Sequence, residues 1–319
     1  MRFALMGLAG YVAKKHVFSI KKTNNFLVAA MDPNDNVGFI DSYFDNVTFF
    51  TKFERFDRFI EKLNNANDGI DYISVCTPNY LHDSHIRSAL KWNSNAICEK
   101  PLVLSPWNLD SISRLEKTFN KSVYPILQLR LHPSIIKLKE KITNCSRAKI
   151  YDVELTYITP RGPWYYSSWK GQSSMSGGIA TNIGIHFFDI LIWIFGSVKK
   201  SILHIKSHDR CSGFLQLEKA NIRWFLSIDK FTLPKETENS KAYRCIKIDN
   251  EVFEFSDGFE NLHLDSYKNI LSNNGFTLDD ARPSIEITHK IQSSNAIGLK
   301  GEYHPFSKLI FNNHPFKHI

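Results

Sequence analysis

The amino terminus reads Phe3-Ala4-Leu5-Met6-Gly7-Leu8-Ala9-Gly10-Tyr11-Val12-Ala13, and this stretch decides the fold. Its four apolar residues predict a short buried strand, its glycines predict a tight turn, and the mixed sequence from about Val12 predicts a helix. The next apolar run, Phe26 to Met31, ends at Asp32. Together these segments form a βαβ unit of about thirty residues, the arrangement that binds a dinucleotide pyrophosphate at a helix amino terminus.

The acid at Asp32 indicates which dinucleotide to expect. It lies about twenty residues beyond the glycine turn, where a carboxylate binds the ribose hydroxyls of adenosine. Because it would repel a 2′-phosphate, the sequence favours NAD over NADP. The glycine signal itself is unusual, since Gly7, Gly10 and Ala13 have the spacing G-x-x-G-x-x-A in place of G-x-G-x-x-G. A plain glycine turn is therefore the alternative.

A third strand-turn-helix segment extends this pattern. The run Tyr72-Ile73-Ser74-Val75-Cys76 predicts a strand, Thr77-Pro78-Asn79 a turn, and residues 83–92 a helix. The strand Ala96-Ile97-Cys98 follows and ends at Glu99-Lys100-Pro101. Alternating strands and helices predict a doubly wound parallel sheet, which binds ligands at the carboxyl ends of its strands. We therefore expect Lys100 to lie at the ligand-binding edge.

Neither the histidines nor the cysteines indicate a metal site or a disulfide framework. His82 and His85 lie three residues apart, but no third ligand has a suitable spacing for zinc. The five cysteines are odd in number and widely spaced, which is typical of reduced core residues. We expect no metal.

The composition is that of a globular protein with room for two domains. Of its 319 residues, 43% are hydrophobic and 23% are charged. The formal charge of +8 suits anionic ligands, but the lysines are scattered and no nucleic-acid-binding motif accompanies them. No apolar stretch approaches the roughly 20 residues that cross a bilayer. We therefore expect a cytoplasmic protein that binds neither nucleic acid nor membrane.

From about residue 123 the sequence changes to alternating strands. Val153, Leu155 and Tyr157 alternate with polar residues, and Ile222 and Trp224 begin a second run of this kind. Such alternation predicts half-exposed antiparallel strands. We expect a sheet with one wet face, available to a partner subunit or to substrate.

The predicted fold class is α/β. We expect a Rossmann-type domain with a parallel sheet at residues 1–122 and an α+β domain with a large, mostly antiparallel open sheet at residues 123–295. A tail follows at residues 296–319.

A polar and aromatic segment, residues 159–170, lies within the second domain. Its composition does not suit a core. Arg161 offers a guanidinium to a carboxylate or phosphate, and the tyrosines and tryptophans offer ring faces. The segment therefore predicts either a loop that binds an anionic sugar or a loop at an oligomer interface.

A glycine-led helical segment, residues 176–195, follows this loop. Its His186 and Asp189 share a face with Asn182. A histidine near a helix start can accept a proton near neutral pH, although a structural histidine is the alternative.

Five motifs, taken in order, resemble the Gfo/Idh/MocA family of nicotinamide-dependent sugar and polyol oxidoreductases. They are Gly7-x-x-Gly10-x-x-Ala13, Asp32, Thr77-Pro78-Asn79-x-x-His82, Cys98-Glu99-Lys100-Pro101 and Gly177-Gly178-x-x-x-Asn182-x-Gly184-x-His186-x-x-Asp189. The resemblance covers residues 1 to 295. It implies a two-domain NAD-dependent dehydrogenase.

Loop segments resemble more narrowly the UDP-N-acetylglucosaminuronate 3-dehydrogenases of this family. Among them are Leu155-Thr156-Tyr157-Ile158-Thr159-Pro160-Arg161-Gly162-x-Trp164-Tyr165 and Ser168-Trp169-Lys170-Gly171. This resemblance implies oxidation of the sugar 3-hydroxyl of UDP-2-acetamido-2-deoxyglucuronate, on a route to the diacetamido-uronic acids of bacterial surface polysaccharides such as O-antigen. It also implies a homotetramer, and 2-oxoglutarate as the hydride acceptor that some relatives use.

The resemblance implies the site residues as well. Those expected to bind NAD are Gly7, Gly10, Tyr11, Val12, Asp32, Thr77, Asn79, His82, Glu99, Lys100 and Gln128. Those expected to bind substrate are Lys100, Arg130, Arg161, Tyr165, Lys170, Asn182 and His186. Of these, Lys100, His186 and Asn182 are expected to be catalytic. We expect His186 to take the hydroxyl proton, while Lys100, supported by Glu99, binds the reacting oxygen.

Asn182 leaves the identity of the base open. Many family members have an aspartate here, and a neutral amide cannot raise the basicity of His186 as a carboxylate would. Lys100 as the base is therefore the alternative. The rival functions are a dehydrogenase of another sugar or polyol, a non-catalytic NAD-binding regulator and, more distantly, a nucleic-acid binder.

Overall fold

The chain forms two compact units, which are described here from a computed structural model covering residues 1–145, 149–237, 241–253, 255, 258–310 and 313–316. The first unit comprises Met1–Leu131 and Phe259–Arg282, and the second comprises His132–Gly258 and Pro283–Ile319. Residues 311, 312 and 317–319 of the predicted tail lie outside the described residues.

The boundaries predicted at residues 122 and 295 differ from these units. The strand that follows residue 122 completes the first sheet, so the first unit continues to Leu131. The segment Phe259–Arg282 belongs to the first unit although it follows the second in sequence. Composition does not reveal such a return, because a returning helix has the same amphipathic pattern as any other surface helix.

The first unit begins as a regular alternation of strands and helices. In chain order these are β1 (Arg2–Met6), α1 (Ala13–Lys22), β2 (Phe26–Met31), β3 (Thr48–Phe50), α2 (Phe53–Asn65), β4 (Tyr72–Val75), α3 (His82–Lys91), β5 (Asn95–Cys98), α4 (Pro106–Phe119) and β6 (Val123–Pro125). The described strands form a six-stranded sheet in the order β3-β2-β1-β4-β5-β6, with every pair parallel. This confirms the predicted parallel sheet. Its strand order reverses between β1 and β4, where such sheets bind dinucleotides.

The turn after β1 requires glycine at two positions. Gly7 has a φ of +90°, and a Cβ there would lie 2.6 Å from the carbonyl carbon of Cys76. A Cβ on Gly10 would lie 3.0 Å from the Gly7 carbonyl oxygen. The turn thus packs its backbone directly against the chain after β4, which explains why glycines occupy positions 7 and 10 in this unusual spacing.

The second unit is built around a mixed sheet. Its elements are α5 (Pro133–Thr143), β7 (Tyr151–Ile158), α6 (Trp164–Ser167), α7 (Ser173–Ser176), α8 (Ile185–Phe195), β8 (Val198–Lys206), β9 (Arg210–Leu217), β10 (Ala220–Ser227), β11 (Tyr243–Ile248) and β12 (Glu251–Phe253). The described strands form a six-stranded sheet in the order β12-β11-β7-β10-β9-β8.

The second sheet is mostly antiparallel, as predicted, with one exception. The two strands whose alternation predicted antiparallel neighbours, β7 and β10, pair with each other in parallel. Alternation indicates which face of a strand is buried, but it carries no information about the direction of the neighbouring strand.

Two further helices precede the tail. Helix α9 (Leu262–Leu271) belongs to the first unit. In α10 (Leu278–Ser293), the residues up to Arg282 belong to the first unit and those from Pro283 to the second.

The face of the second sheet that was expected to be wet is covered in part by the tail. His304 is 2% exposed, its Nε2 lies 2.9 Å from Thr156 Oγ1, and its ring stacks on Phe225. Farther along the tail, Arg210 Nη1 donates to the carbonyl oxygen of Ile310 at 3.0 Å. The expectation of a wet face was therefore wrong in this region, because the tail supplies partners to the polar side chains of the sheet.

One described helical stretch, Ser173–Phe195, is long and apolar enough to cross a membrane by length and composition alone. No such stretch was expected from the sequence, because glycines and polar residues interrupt its apolar run. In the fold 72% of its most apolar window is buried, and Phe187, Phe188 and Ile190 are at most 1% exposed. These side chains form the core of the second unit.

The cysteines have the burial that was predicted. Those at positions 76, 98, 211 and 245 are buried, and Cys145 is half-buried. No disulfide joins any two of the five, all of which lie in the described part of the chain.

Candidate active site

The glycine turn and Asp32 form one structure at the end of β1. The Asp32 carboxylate accepts the backbone N–H of Ala9 at 3.0 Å and that of Asn34 at 2.9 Å. Helix α1 starts after Val12 without a side-chain cap, and uncapped N–H groups at a helix start suit a phosphate. Tyr11, also predicted to bind the cofactor, is 90% exposed. The predicted spacing therefore places the acid beside the turn.

His82 lies between the chain segments that follow β4 and β5. Its Nε2 is 2.7 Å from the carbonyl oxygen of Thr77, and its Nδ1 is 2.7 Å from that of Pro101. Burial lowers the pKa of His82, although both carbonyls favour the charged ring. His85 Nδ1 lies 2.9 Å from Thr77 Oγ1, so both histidines have hydrogen-bond partners in the protein. Asn79 is buried in the same segment.

The carboxylate of Glu99 is the centre of a buried polar group in the first unit. Its Oε1 accepts from His16 Nε2 at 3.0 Å and from His263 Nε2 at 2.8 Å, and its Oε2 accepts the N–H of Lys100 at 3.2 Å. The hydroxyl of Tyr267 lies 2.8 Å from His16 Nδ1. We call this group the Glu99 cluster; its side chains are those of Glu99, His16, His263, Tyr267 and Ser74.

Glu99 is ionised although it is only 4% exposed. Burial alone would raise its pKa, but hydrogen bonds from His16 and His263 outweigh burial and hold the pKa well below its usual range. Burial lowers the pKa of His16. At neutral pH the cluster therefore contains a Glu99 anion bonded to a neutral His16.

The ligand atoms of His16, Glu99 and His263 lie within 4.8 Å of one another, which is close enough to hold a metal ion. Their N···O distances of 2.8 and 3.0 Å are, however, those of direct N–H···O bonds. We therefore assign the cluster to hydrogen bonding. His16, His263 and Tyr267 were not anticipated from the sequence, because their partners are distant in sequence and no motif marks them.

Two further predicted residues lie in the 3₁₀ turn Gln128–Leu131, in the first unit. Gln128 Oε1 is buried and has no hydrogen-bond partner among the described residues, so it leaves an acceptor for a ligand. Arg130 is 6% exposed, donates to Asp280 Oδ1 at 3.0 Å and packs on the ring of Phe276. These contacts explain how the guanidinium of Arg130 is stabilised in a buried position. Substrate binding by Arg130 stays a prediction.

In the second unit, Asn182 joins the start of α8 to the aromatic loop. It lies in a π-helical turn, Ala180–Gly184, and its Nδ2 donates to the hydroxyl of Tyr165 at 3.1 Å. His186 follows at the start of α8, with its ring edge-on to Tyr157 at a centroid distance of 5.9 Å. Single π-helical turns are frequent at functional sites.

Two cations of the aromatic loop have no acidic partner in the described part of the chain. Lys170 is half-buried, with its Nζ 5.4 Å from the ring centroid of Trp164 and 5.7 Å from that of Trp169. Burial, and to a smaller degree the charge of Arg161, lowers the pKa of Lys170. Within the described residues, neither Lys170 nor Arg161 forms an ion pair. A partly desolvated cation beside a second cation is stabilised by an anionic ligand.

A cavity of about 490 Å³ lies beside Lys170, with Tyr165, Lys206 and His208 also in its wall. Gly178 forms another part of the wall; a Cβ at this position, where φ is +75°, would lie 2.6 Å from Gln292 Oε1. Cavities of this size commonly bind small molecules. With two lysines in its wall, this one suits an anionic organic ligand.

The predicted site residues are divided between the two units. All the expected cofactor residues belong to the first unit, where the structure brings Asp32 to the glycine turn and joins Glu99 to the backbone of Lys100. Most expected substrate residues belong to the second unit, where Asn182 contacts Tyr165 and Lys170 lines the cavity.

The Glu99 cluster predicts how the free energy of unfolding depends on pH. Because the folded pKa of His16 is lowered from 6.5, the unfolded chain binds a proton below about pH 6.5 that the folded chain does not. Stability is therefore lost as the pH falls through this range, by up to about 1.4 kcal/mol per pH unit for one proton. We expect the free energy of unfolding of His16→Gln, measured in urea between pH 7.5 and 5.5, to fall less steeply than that of the wild type. Equal slopes would contradict the lowered pKa.

Family models match most of the chain. Residues 1–125 match the model GFO_IDH_MocA, described as an oxidoreductase family with an NAD-binding Rossmann fold. Residues 139–228 match GFO_IDH_MocA_C, described as the C-terminal alpha/beta domain of that oxidoreductase family.

Individual proteins are similar as well. The WlbA (WbpB) dehydrogenase from Thermus thermophilus, solved with NAD and alpha-ketoglutarate and with NAD and UDP-GlcNAcA, is 43% identical, with a TM-score of 0.92 over 96% of this chain and 99% of that chain. The oxidoreductase YteT of Bacillus subtilis (strain 168) is 27% identical over 128 residues, which are 40% of this chain and 30% of its own. The D-glucoside 3-dehydrogenase of Escherichia coli (strain K12) is 25% identical over 126 residues, 40% of this chain and 36% of its own. The match thus spans about a third of the length of these two curated relatives. The chain belongs to the Gfo/Idh/MocA oxidoreductase family.

Proposed function

We propose that this protein is an NAD-dependent dehydrogenase that oxidises the sugar 3-hydroxyl of UDP-2-acetamido-2-deoxyglucuronate (UDP-GlcNAcA). The observation that carries the proposal is a pair of cations, Arg161 and Lys170, that form no ion pair with any described residue. This substrate is anionic at its uronate and at its diphosphate, whereas inositols and simple glucosides would leave both cations without a partner. The Thermus thermophilus structure with NAD and UDP-GlcNAcA supports the same substrate class.

The first unit has the groups that NAD requires. The glycine turn leaves the start of α1 accessible to a pyrophosphate, and Asp32 lies beside that turn for the adenosine ribose. Gln128 adds a buried acceptor with no partner among the described residues. When bound, NAD accepts the hydride from carbon 3 of the sugar.

The proton released from the sugar hydroxyl is assigned to His186. A histidine accepts a proton near neutral pH, and the Lys100 ammonium stabilises the oxygen as negative charge develops on it. Asn182 is bonded to Tyr165, so in our proposal it orients the loop and does not raise the basicity of His186. Lys100 as the base remains the alternative.

We also propose 2-oxoglutarate as the acceptor that regenerates NAD, since the Thermus thermophilus protein has been solved with NAD and alpha-ketoglutarate. Reduction of the keto acid to the hydroxy acid balances the hydride removed from the sugar. The keto-sugar nucleotide would then serve the synthesis of surface polysaccharide in the cytoplasm. The proposed assembly is a homotetramer, which light scattering would detect.

Turnover of UDP-GlcNAcA tests the function directly. Incubation of the purified protein with NAD and this substrate should give a product lighter by two hydrogens, with NADH absorbance rising in step. Adding 2-oxoglutarate should keep NADH low and produce 2-hydroxyglutarate. UDP-N-acetylglucosamine, which lacks the carboxylate, serves as the control substrate. If mass spectrometry finds no keto product from the uronate, the proposed substrate is wrong.

The cation pair predicts the substrate preference. Arg161→Ala and Lys170→Ala should each reduce the kcat/KM preference for the uronate over UDP-N-acetylglucosamine by about tenfold or more, because a hydrogen bond to a charged group contributes about 1.5–3 kcal/mol. Lys230→Ala is the matched control, since Lys230 is an exposed cation beside an aromatic ring in the same unit. An unchanged preference in both loop variants would exclude them as anion ligands.

The assignment of the base predicts different behaviour for His186→Ala and Lys100→Met. Loss of a general base typically costs about 10²–10⁴-fold in rate, and added imidazole should restore part of single-turnover NADH formation only in His186→Ala. His289→Ala provides a control at another helical histidine of the second unit. A near-normal rate for His186→Ala would transfer the role to Lys100.

A further inference from the structure

The backbone on both sides of Lys100 is held by side chains from other elements. Before it, the carboxylate of Glu99 is bound by two histidines and accepts the N–H of Lys100 at 3.2 Å. After it, the carbonyl oxygen of Pro101 lies 2.7 Å from His82 Nδ1. The direction in which the Lys100 side chain leaves the backbone therefore depends on these contacts.

The hydrogen bonds of the Glu99 cluster have one consistent direction. A carboxylate only accepts, so His16 Nε2 carries the proton that binds Glu99. In the neutral ring Nδ1 is then an acceptor, and the Tyr267 hydroxyl donates to it at 2.8 Å. The hydroxyl of Ser74, 2.7 Å from the Tyr267 oxygen, donates in turn. This chain of donors fixes the tautomer of His16.

His263 supplies the second donor, from the segment that returns to the first unit. It is 3% exposed, and its Nε2 lies 2.8 Å from Glu99 Oε1. Its Nδ1 has no hydrogen-bond partner in the described part of the chain. The polar contact of His263 in this cluster is therefore the one with Glu99. A substitution of His263 tests that contact and removes no other hydrogen bond of the cluster.

We propose that His16 and His263 are positioning residues for Lys100, which act by clamping the Glu99 carboxylate against the backbone N–H of Lys100. The inference rests on the proposed role of Lys100 in oxidising the sugar hydroxyl. A group that stabilises a developing alkoxide must be placed accurately, since a displacement of about 1 Å can cost about 100-fold in rate. Donors on two separate helices, α1 and α9, bind the same oxygen of the carboxylate, Oε1, while its Oε2 accepts the N–H of Lys100.

The clamp makes activity depend on the charge of Glu99. Other titratable groups with electrostatic interactions in this cluster include Lys15, which acts on His16, and Cys76, His82, Cys98 and Tyr267, which interact with Glu99. Burial raises the pKa of both thiols and of the tyrosine, so these three stay neutral near pH 7. Because the histidine donors stabilise the anion, loss of one donor raises the pKa of Glu99. As the pH falls, the variant should then lose activity at a higher pH than the wild type does.

The test compares His263→Leu with His263→Gln. Leucine fills the space without a donor, whereas glutamine can place an N–H near the position of the histidine Nε2. For His263→Leu we expect kcat to fall about 100-fold, KM for UDP-GlcNAcA and the Kd for NAD to change little, and the acid limb of the kcat profile to move to higher pH. His263→Gln should keep the wild-type profile. A folded His263→Leu enzyme with wild-type kcat and pH profile would overturn the proposal.

Tyr267→Phe is the second variant, used where His263→Leu does not fold. It keeps the ring and removes the donor to His16 Nδ1, so a buried acceptor of His16 loses its partner and one of the two contacts that fix its tautomer is lost. We expect kcat to fall about tenfold, with the acid limb moving in the same direction. An unchanged kcat and limb would count against the clamp.

A substrate-independent readout separates this inference from the proposed function. After reductive ¹³C-methylation, the Lys100 resonance, assigned by its absence in Lys100→Arg, reports the titration of that amine by NMR. We expect its pKa to differ between His263→Leu and the wild type, and to be the same in the wild type and His263→Gln. If the wild type oxidises no sugar nucleotide, the proposed function fails, and this titration still decides the clamp. Identical titrations in all three proteins would refute it.

Discussion

A buried anion, the carboxylate of Glu99, determines how the ligand-binding edge of the first unit is built. A carboxylate removed from water has to be hydrogen-bonded, and its donors come from α1, from α9 and from the backbone of Lys100. Tyr267 donates to His16 and accepts from Ser74, so the hydrogen bonds of the cluster also reach β4. Helices and strands that share no sequence pattern are thereby held in one arrangement, with Lys100 next to the anion.

Much of the first unit could be predicted, because its features leave local signals in the sequence. Apolar runs indicated the parallel strands. The sequence spacing between the glycine turn and Asp32 indicated that the acid would lie beside the turn. The unusual glycine spacing has a steric cause that only the fold reveals, since a Cβ on Gly7 would meet the backbone after β4. The Glu99 cluster was beyond prediction, because its bonds join residues 83 and 164 positions apart in sequence. A single sequence contains no periodicity that relates such positions.

The second unit was predicted less completely, for a related reason. Alternation reports whether a strand has a buried face, and it therefore identified β7 and β10 but not their parallel pairing. The tail has no periodic pattern, so its contact between His304 and the sheet could not be expected. The role of the aromatic loop stays a prediction. Its composition indicated either an anion site or an oligomer interface, whereas only the fold shows that Arg161 and Lys170 have no acidic partner among the described residues.

The discontinuity of the first unit has a consequence for how the chain is made. When residues up to Leu131 have left the ribosome, every strand of the parallel sheet has been made. Glu99 still lacks its donor His263. Phe3 still lacks the ring of Tyr267, which stacks on it at a centroid distance of 5.9 Å. These partners emerge only after residues 132–258 have been synthesised. Domains generally fold as units during synthesis, yet here the amino-terminal unit lacks these contacts until the segment Phe259–Arg282 has been made. A nascent chain therefore completes its cofactor-binding half late, when most of the protein has already left the ribosome.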